Sequence, residues 1–171
     1  MMKQVERKPM TEVAYVTSDQ TSYGIPGSAF AGLMEAVLKK NVPFRFSASG
    51  SSMSPFIQEG DTITVAPSPL HLSPGDVVAF VNVHSNQLMV HRIIHASPAG
   101  YLIKGDNNSV PDGLMPASSI IGYVVRVVRR GRQVRLGLGI ERFLIAWLSN
   151  RCRLTQLLSM GRRITKQVYR P

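Results

Sequence analysis

Residues 44–55 read Phe44-Arg45-Phe46-Ser47-Ala48-Ser49-Gly50-Ser51-Ser52-Met53-Ser54-Pro55. Apolar and polar residues alternate in the first half of this stretch, which is the period of a half-buried β-strand. Gly50 permits a tight turn where the strand ends, and Pro55 fixes the backbone at the exit of that turn. The stretch therefore predicts a strand followed by a rigid bend from which Ser52 projects.

Further strand patterns follow along the chain. Short apolar runs bounded by Gly, Pro, Asn or Asp occur at residues 62–65, 77–83, 88–94, 101–104 and 120–128. No helical pattern separates them, so they predict a mainly β core, built as a coiled sheet or a partial barrel. Before the core, apolar residues recur at helical spacing in residues 28–40, which predicts a leading helix.

Charge divides the chain of 171 residues into unequal parts. Residues 1–125 contain 8 Lys and Arg against 9 Asp and Glu, whereas residues 126–171 contain 12 basic residues against Glu141 alone. We therefore expect a flexible segment at 1–25, a β domain with its leading helix at 26–137, and a basic amphipathic helical tail at 138–171. The apolar face of that tail would comprise Ile140, Phe143, Leu144, Trp147 and Leu148.

The sequence shows neither a secretory signal nor a membrane span. Glu141 and Arg142 interrupt its longest apolar stretch, which falls short of the ~20 apolar residues that a span requires. We expect a protein that is cytoplasmic or peripheral to a membrane. Arginines beside the apolar face of the tail are typical of a helix that lies on an anionic lipid surface.

A serine nucleophile requires a base that accepts its proton, and histidine is well suited because imidazole titrates in the physiological pH range. His91 lies in the predicted strand at 88–94. His95 would share its face of the strand, while His71 and His84 fall in predicted loops. The four histidines lack zinc-type spacing and Cys152 is the only cysteine, so we predict no metal site, no cofactor and no intramolecular disulfide.

The order of these motifs resembles the signal peptidase I family, and more closely its Ser–His branch. The resemblance covers about residues 46–128 and includes Gly-x-Ser-Met-x-Pro at 50–55, His91-Arg92, and Lys104-Gly105-Asp106-Asn107-Asn108. It implies the fold that this family shares with LexA-like self-cleaving repressors. It also implies a serine endopeptidase that removes leader or signal segments from precursor peptides.

The resemblance assigns roles to individual residues. Ser52 would be the nucleophile and His91 the base, while Gly50, Ser51 and Met53 would form the turn and the oxyanion site. The family's alternative Ser–Lys dyad has no candidate between Met53 and Ile103, which leaves Lys104 as the nearest lysine base. The substrate would bind as an added strand, with small residues one and three positions before the cut.

The acid that orients His91 has two candidates. Asp106 matches the family's Gly-Asp-Asn motif, and Asp112 matches a second acid six residues later. Both also have structural interpretations, because Gly-Asp occurs again at Asp61 and Asp76 before predicted strands, and Pro111-Asp112-Gly113 is typical of a turn. We favour Asp106 as the partner of His91.

A regulator is the competing hypothesis. It would be a non-enzymatic or self-cleaving protein of the related repressor fold that binds nucleic acid through its basic tail. Against it, no second helix follows the leading helix at helix-turn-helix distance, and the tail has few aromatic residues for base stacking. We therefore expect a peptide substrate, with an anionic membrane surface as a further partner and nucleic acid as the weaker alternative.

Overall fold

The computed structural model describes residues 14–15 and 27–151. In chain order the elements are β1 (Ala14–Tyr15), α1 (Gly27–Lys39), β2 (Phe44–Ser47), β3 (Thr62–Pro67), β4 (Val77–Val81), β5 (Leu88–Ser97), β6 (Gly100–Lys104), β7 (Gly113–Met115), a 3₁₀ turn (Ala117–Ser119), β8 (Ile120–Arg129), β9 (Arg132–Val134) and α2 (Arg142–Asn150). Apart from β1, the predicted flexible segment at 1–25 lies outside the described residues. So does the predicted tail beyond residue 151.

The described strands form one open sheet. Their order is β1-β2-β3-β8-β4-β5-β6-β7, with β9 paired to β8 beside this path. Every pairing is antiparallel except that of β1 with β2. The prediction of a mainly β fold with a helix on each side of it in the chain is therefore confirmed, and the sheet does not close into a barrel.

The centre of the sheet is buried on both faces. Val77 and Ala79 belong to one core cluster, whereas Val78 and Phe80 belong to another, because successive side chains of β4 point to opposite faces. The first cluster is covered by α1, whose Phe30 ring packs edge-on against Phe44 with ring centroids 5.6 Å apart. The helix predicted at 28–40 is thus confirmed, and it holds β2 directly before the bend at Ser52.

Two Gly-Asp pairs form the turns that precede strands, as predicted. Asp61 accepts a hydrogen bond from the backbone N–H of Gln58 at 2.8 Å, immediately before β3. Asp76 accepts one from Ser73, also at 2.8 Å, immediately before β4. Each carboxylate closes a turn of its own chain segment, so these acids contribute to the fold and lie apart from the predicted chemistry.

The second helix, α2, docks on the domain through one side only. Ile145 and Ala146 are buried, and Ile145 packs with Leu148 against Phe56. The Lys104 ammonium, itself fully buried, donates to the Ser149 carbonyl near the end of α2 at 3.1 Å. No helix within residues 27–151 has the length and apolar character needed to cross a membrane.

The apolar face predicted for the tail points away from the domain. Ile140, Phe143, Leu144 and Trp147 are all exposed, and of the predicted face only Leu148 is partly buried. The buried side of α2 is instead formed by Ile145, Ala146 and Ser149.

Candidate active site

The segment that carries Ser52 is a tight turn directly after β2. Gly50 has a φ of +83°, a left-handed backbone conformation that side chains other than glycine's rarely adopt. The Ser54 N–H donates to the Ser51 carbonyl at 3.1 Å, and the carbonyl of the buried Met53 accepts from two following N–H groups. Ser52 therefore lies on a bend that is stabilised by hydrogen bonds between its own backbone groups.

A second segment, the loop at 105–108, holds this bend from behind. The Asn107 N–H donates to the Ser52 carbonyl at 2.7 Å, and the Asn107 side-chain amide donates to the Ser51 carbonyl at 3.2 Å. A Cβ added at Gly105 would lie 2.9 Å from the Ser52 carbonyl oxygen. Only glycine fits this close approach of two backbones, so the position of Ser52 depends on the sequence of this loop.

Ser52, His91 and Asp112 form a continuous hydrogen-bonded chain. The Ser52 Oγ lies 2.8 Å from His91 Nε2, and His91 Nδ1 lies 2.7 Å from Asp112 Oδ2. The His91 and Asp112 side chains are both at least nine-tenths buried. A hydroxyl, an imidazole and a carboxylate in this order are the parts that activate a serine nucleophile.

Each member of this chain comes from a different part of the sheet. His91 lies on β5, and its ring packs against Phe80 of β4 with centroids 6.2 Å apart. Asp112 lies just before β7, and its backbone N–H donates to the Ile103 carbonyl of β6 at 2.9 Å. His91 and Asp112 meet because β5, β6 and β7 are neighbours in the sheet. Ser52, which follows β2, reaches them because its bend is hydrogen-bonded to Asn107 of the loop between β6 and β7.

The sequence matches one protein family, Peptidase S24-like, over residues 18–125. This region covers more than half of the chain and includes every residue of the hydrogen-bonded chain. The protein belongs to this family. The S24-like family includes both peptidases and self-cleaving repressors. No curated protein matches the chain.

Asp106 has a different place in this S24-like domain from the one we favoured. Both of its carboxylate oxygens accept from Arg92, at 2.8 and 2.7 Å, and both side chains are fully buried. Arg92 follows His91 in β5, so the two side chains point to opposite faces of the strand. The prediction that Asp106 is the partner of His91 is therefore wrong, because Asp106 lies on the other side of the sheet.

Arg92 also joins segments that are distant in sequence. Its Nη1 donates to the Gly75 carbonyl before β4 and to the Gly137 carbonyl after β9, both at 2.8 Å. Its guanidinium carbon lies 5.6 Å from the centre of the Phe56 ring. This buried pair therefore holds together the segments that surround the Ser52 bend.

Lys104 lies on the face of the sheet opposite to His91. It stands directly opposite Arg92 across β5 and β6, and opposite residues of paired strands share a face. Because its ammonium donates to the Ser149 carbonyl of α2, the alternative Ser–Lys pairing is not formed. Lys104 attaches α2 to the β domain.

The remaining histidines lie apart from the hydrogen-bonded chain. His95 is exposed, and a β-bulge between Ile93 and His95 interrupts the alternation that would place it on the face of His91. His71 and His84 are exposed in loops, as predicted. Within residues 14–15 and 27–151, no group of three His, Cys, Asp or Glu side chains could hold a metal ion.

Sequence reasoning missed one arginine that supports the Ser52 bend. Arg129, at the end of β8, forms two 2.8 Å hydrogen bonds with Asp61 and donates to the Phe56 carbonyl at 3.2 Å. The hydrogen bond with the Asp61 carboxylate raises the pKa of the Arg129 guanidinium. The charge pair thus fixes the exit of the bend to β8. A signal was available, because Asp61 belongs to a Gly-Asp turn whose second carboxylate oxygen needs a partner.

Proposed function

We propose that this protein is a serine endopeptidase whose catalytic groups are Ser52, His91 and Asp112. The observation that carries the proposal is the pair of short hydrogen bonds, 2.8 Å from Ser52 to His91 and 2.7 Å from His91 to Asp112. Membership of the S24-like family supports a serine peptidase in general.

In the proposed reaction, Ser52 Oγ attacks the scissile carbonyl carbon while His91 Nε2 takes the hydroxyl proton. Asp112 accepts from the Nδ1–H of His91 and so holds the tautomer whose Nε2 is free to act as the base. His91 then gives its proton to the leaving amine as the C–N bond breaks. Water attacks the resulting ester, its proton passes to His91, and Ser52 recovers its hydrogen when the acid product leaves.

The backbone of the bend supplies the group that would stabilise the developing oxyanion. Among the described residues, no backbone hydrogen bond uses the N–H of Ser52 or of Met53. The Ser52 N–H, with a neighbouring N–H of the turn, is therefore available to a carbonyl oxygen that becomes negatively charged. Gly50 takes the place where some signal peptidases have a hydroxyl residue, so this site relies on backbone donors.

The open edge of β5 suggests how a peptide substrate binds. Residues 88–91 pair with β4 on one side, and within the described residues β6 pairs with β5 only from Arg92 onward. An extended peptide laid along residues 88–91 would add a strand that ends beside His91. Side chains one and three positions before the cut would then face the enzyme together.

We further propose that the substrates are precursor peptides with small residues at those two positions. Leu88 and Val90, on one face of this edge, are partly buried against the core cluster that contains Met53. Because Leu88 and Val90 occupy the space beside this edge, the pockets left for substrate side chains are shallow. The resemblance to the Ser–His signal peptidases points to the same preference.

Substitution of the proposed nucleophile and base tests the proposal. Ser52→Ala and His91→Ala should each lower turnover of a peptide library by about 10⁶-fold, because the two side chains act as one unit. The exposed His95→Ala variant is the matched control and should cleave as the wild type does. Products of the wild-type reaction should show Ala or another small residue one and three positions before the cut.

The outcomes separate the parts of the proposal. Retained turnover in Ser52→Ala or His91→Ala would refute the catalytic assignment. Bulky residues at both positions would refute only the specificity. If the protein cleaves only its own peptide bonds and no peptide of the library, the result would favour a self-cleaving regulator, a class that the family includes.

A further inference from the structure

We infer that the exposed side of α2 is a docking surface for an anionic lipid membrane. The α2 face is defined here as Phe143, Leu144 and Trp147 of the helix together with Ile140, which lies two residues before it. Their exposed fractions are 48%, 58%, 47% and 87%, although each side chain is large and apolar. The inference concerns lipid binding and does not require the chain to cleave peptides.

The α2 face is held in position rather than free to collapse inward. The opposite side of the helix is anchored by Ile145, packed on Phe56, and by the hydrogen bond from Lys104 to the Ser149 carbonyl. Because these contacts fix the rotation of α2, Phe143 and Trp147 cannot turn into the core without breaking them. Adjacent exposed apolar side chains on a fixed helix mark an interaction surface.

Two arginines stand beside the aromatic rings of this face. The guanidinium carbon of Arg142 lies 4.8 Å from the centre of the Phe143 ring, and that of Arg151 lies 4.4 Å from the centre of the Trp147 ring. An apolar face flanked by arginines is the composition of helices that lie in the membrane interface. There the rings enter the acyl boundary and the guanidinium groups stay among the headgroups.

The charge of the region selects an anionic partner. Residues 126–171 contain 12 basic residues, of which Arg129 and Arg142 form ion pairs with Asp61 and Asp76, each at 2.8 Å. Glu141, the one acid of this region, accepts hydrogen bonds from the backbone N–H groups of Gly137 and Gly139, and the basic residues still far outnumber the acids that pair with them. A second copy of the chain would bring two such basic regions together. The chain's own residues 152–171 contain basic residues and no acid, so they too would be repelled. Anionic headgroups attract the whole region.

Nucleic acid shares the negative charge but fits the α2 face less well. Base stacking requires open aromatic ring faces, and the rings of Phe143 and Trp147 each have an arginine over one face. Phosphate contacts would also leave the exposed Ile140 and Leu144 without a role. Lipid uses both the apolar side chains and the charges.

Membrane docking would bring the Ser52 bend toward the bilayer. The inner side of α2 packs on Phe56, and the Phe56 N–H donates to the Met53 carbonyl within the bend. A substrate delivered along the membrane surface would therefore meet the site on the docked protein. This consequence rests on the proposed function, whereas docking itself does not.

Vesicle binding of the full-length Ser52→Ala protein tests the inference without any cleavage. Trp147 is the only tryptophan in the chain, so its fluorescence reports directly on the α2 face. Mixed phosphatidylcholine–phosphatidylglycerol vesicles should shift its emission to shorter wavelength and co-sediment with the protein, and salt should reverse both effects. Vesicles of pure phosphatidylcholine should bind much less.

Variants with matched controls locate the surface. Ile140→Ser and Trp147→Ala, each added to the Ser52→Ala protein, should weaken co-sedimentation roughly tenfold, because each removes a large apolar group from the interface. Leu70→Ser is the control, since Leu70 is 97% exposed and lies outside the α2 face. It should bind as the parent protein does. Thermal melting of every variant establishes that the fold is retained.

Several results would overturn the inference. Equal recovery in the supernatant with both kinds of vesicle would do so, as would binding that Leu70→Ser weakens as much as Ile140→Ser does. Concentration-dependent dimers that Trp147→Ala abolishes, without vesicle binding, would assign the face to a second copy. Salt-sensitive binding of duplex DNA that exceeds binding to the anionic vesicles would assign the region to nucleic acid.

Discussion

Replacing Asp106 by Asn should destabilise the fold severely. The Asp106 carboxylate accepts from two nitrogens of Arg92 at 2.8 and 2.7 Å, and neither side chain touches solvent. An amide keeps one oxygen but places an N–H group opposite an arginine N–H, so the buried guanidinium loses its charge partner. Breaking a buried pair from one side costs about 3–5 kcal/mol.

This loss of unfolding free energy can be converted into a decrease in the melting temperature, Tm. For a domain of this size, about 1 kcal/mol shifts Tm by roughly 2–4 °C, so Asp106→Asn should lower Tm by about 6–20 °C. Asp61→Asn is the matched control, since Asp61 forms the same two-bonded geometry with Arg129, whose side chain is 30% exposed. Solvent can compensate that arginine, so the decrease in Tm should be smaller.

Replacing Asp112 by Asn should instead lower turnover strongly and change the melting temperature little. Asp112→Asn keeps the shape of the side chain that meets His91 but can favour the wrong tautomer of the imidazole, which lowers turnover by about 10⁴-fold in a triad. Circular dichroism melts and peptide turnover below both melting temperatures separate the effects. If Asp106→Asn melts as the wild type does and is inactive, while Asp112→Asn cleaves normally, the roles assigned to the two acids are reversed.

Two further predictions address the loop behind the bend and the start of α2. Gly105→Ala would place a Cβ 2.9 Å from the Ser52 carbonyl oxygen, and the resulting displacement should lower turnover about 100-fold, whereas Gly32→Ala, which meets nothing within 4 Å, should leave it unchanged. Equal turnover in both variants would show that the loop does not position the nucleophile. The Glu141 carboxylate accepts hydrogen bonds from the backbone N–H groups of Glu141 itself and of Gly137, and these lower the pKa of Glu141. The carboxylate therefore stabilises the fold at pH values above the ordinary glutamate pKa of about 4. This stabilisation is lost as the pH falls through the lowered pKa. Glu141→Gln should therefore lower Tm at pH 7 and by progressively less in melts below about pH 4, and a constant difference would contradict this.

Period-two patterns predicted the longer strands well. Alternation around Phe44 and Phe46 indicated β2, and the apolar runs indicated β3, β4, β5, β6 and β8. The strands β1, β7 and β9 have only two or three residues. Two or three residues are too few to show an alternation of apolar and polar side chains, so these strands could not be predicted from the sequence pattern.

The candidate site could be predicted in part. The motifs around Ser52 and His91 indicated a pair that the structure brings together, but they left two acids. The choice between Asp106 and Asp112 depends on the path of the loop between β6 and β7, which carries one carboxylate to each side of the sheet. A sequence motif does not indicate to which side of the sheet each carboxylate points. The repeated Gly-Asp pattern offered a hint, because the carboxylates of Asp61 and Asp76 bind arginines too.

The tail shows a different limit of sequence reasoning. Helical spacing identified one apolar face in the tail, and of its five predicted members only Leu148 is partly buried, whereas the other four are exposed. Spacing cannot tell whether an apolar face is turned toward the domain or away from it. That was decided by Ile145, Ala146 and Ser149, two of which are small and contribute little to a hydrophobic pattern.

The adjacency of His91 and Arg92 on β5 ties the proposed catalysis to the correct register of this strand. A slip of β5 by one residue would exchange the two side chains between the faces of the sheet. The nucleophile would then meet a guanidinium, which cannot accept a proton, and Asp106 would lose its arginine. A chain in the wrong register would thus lose the proposed catalytic pair and the buried ion pair together, so the proposed activity would require the native register of β5.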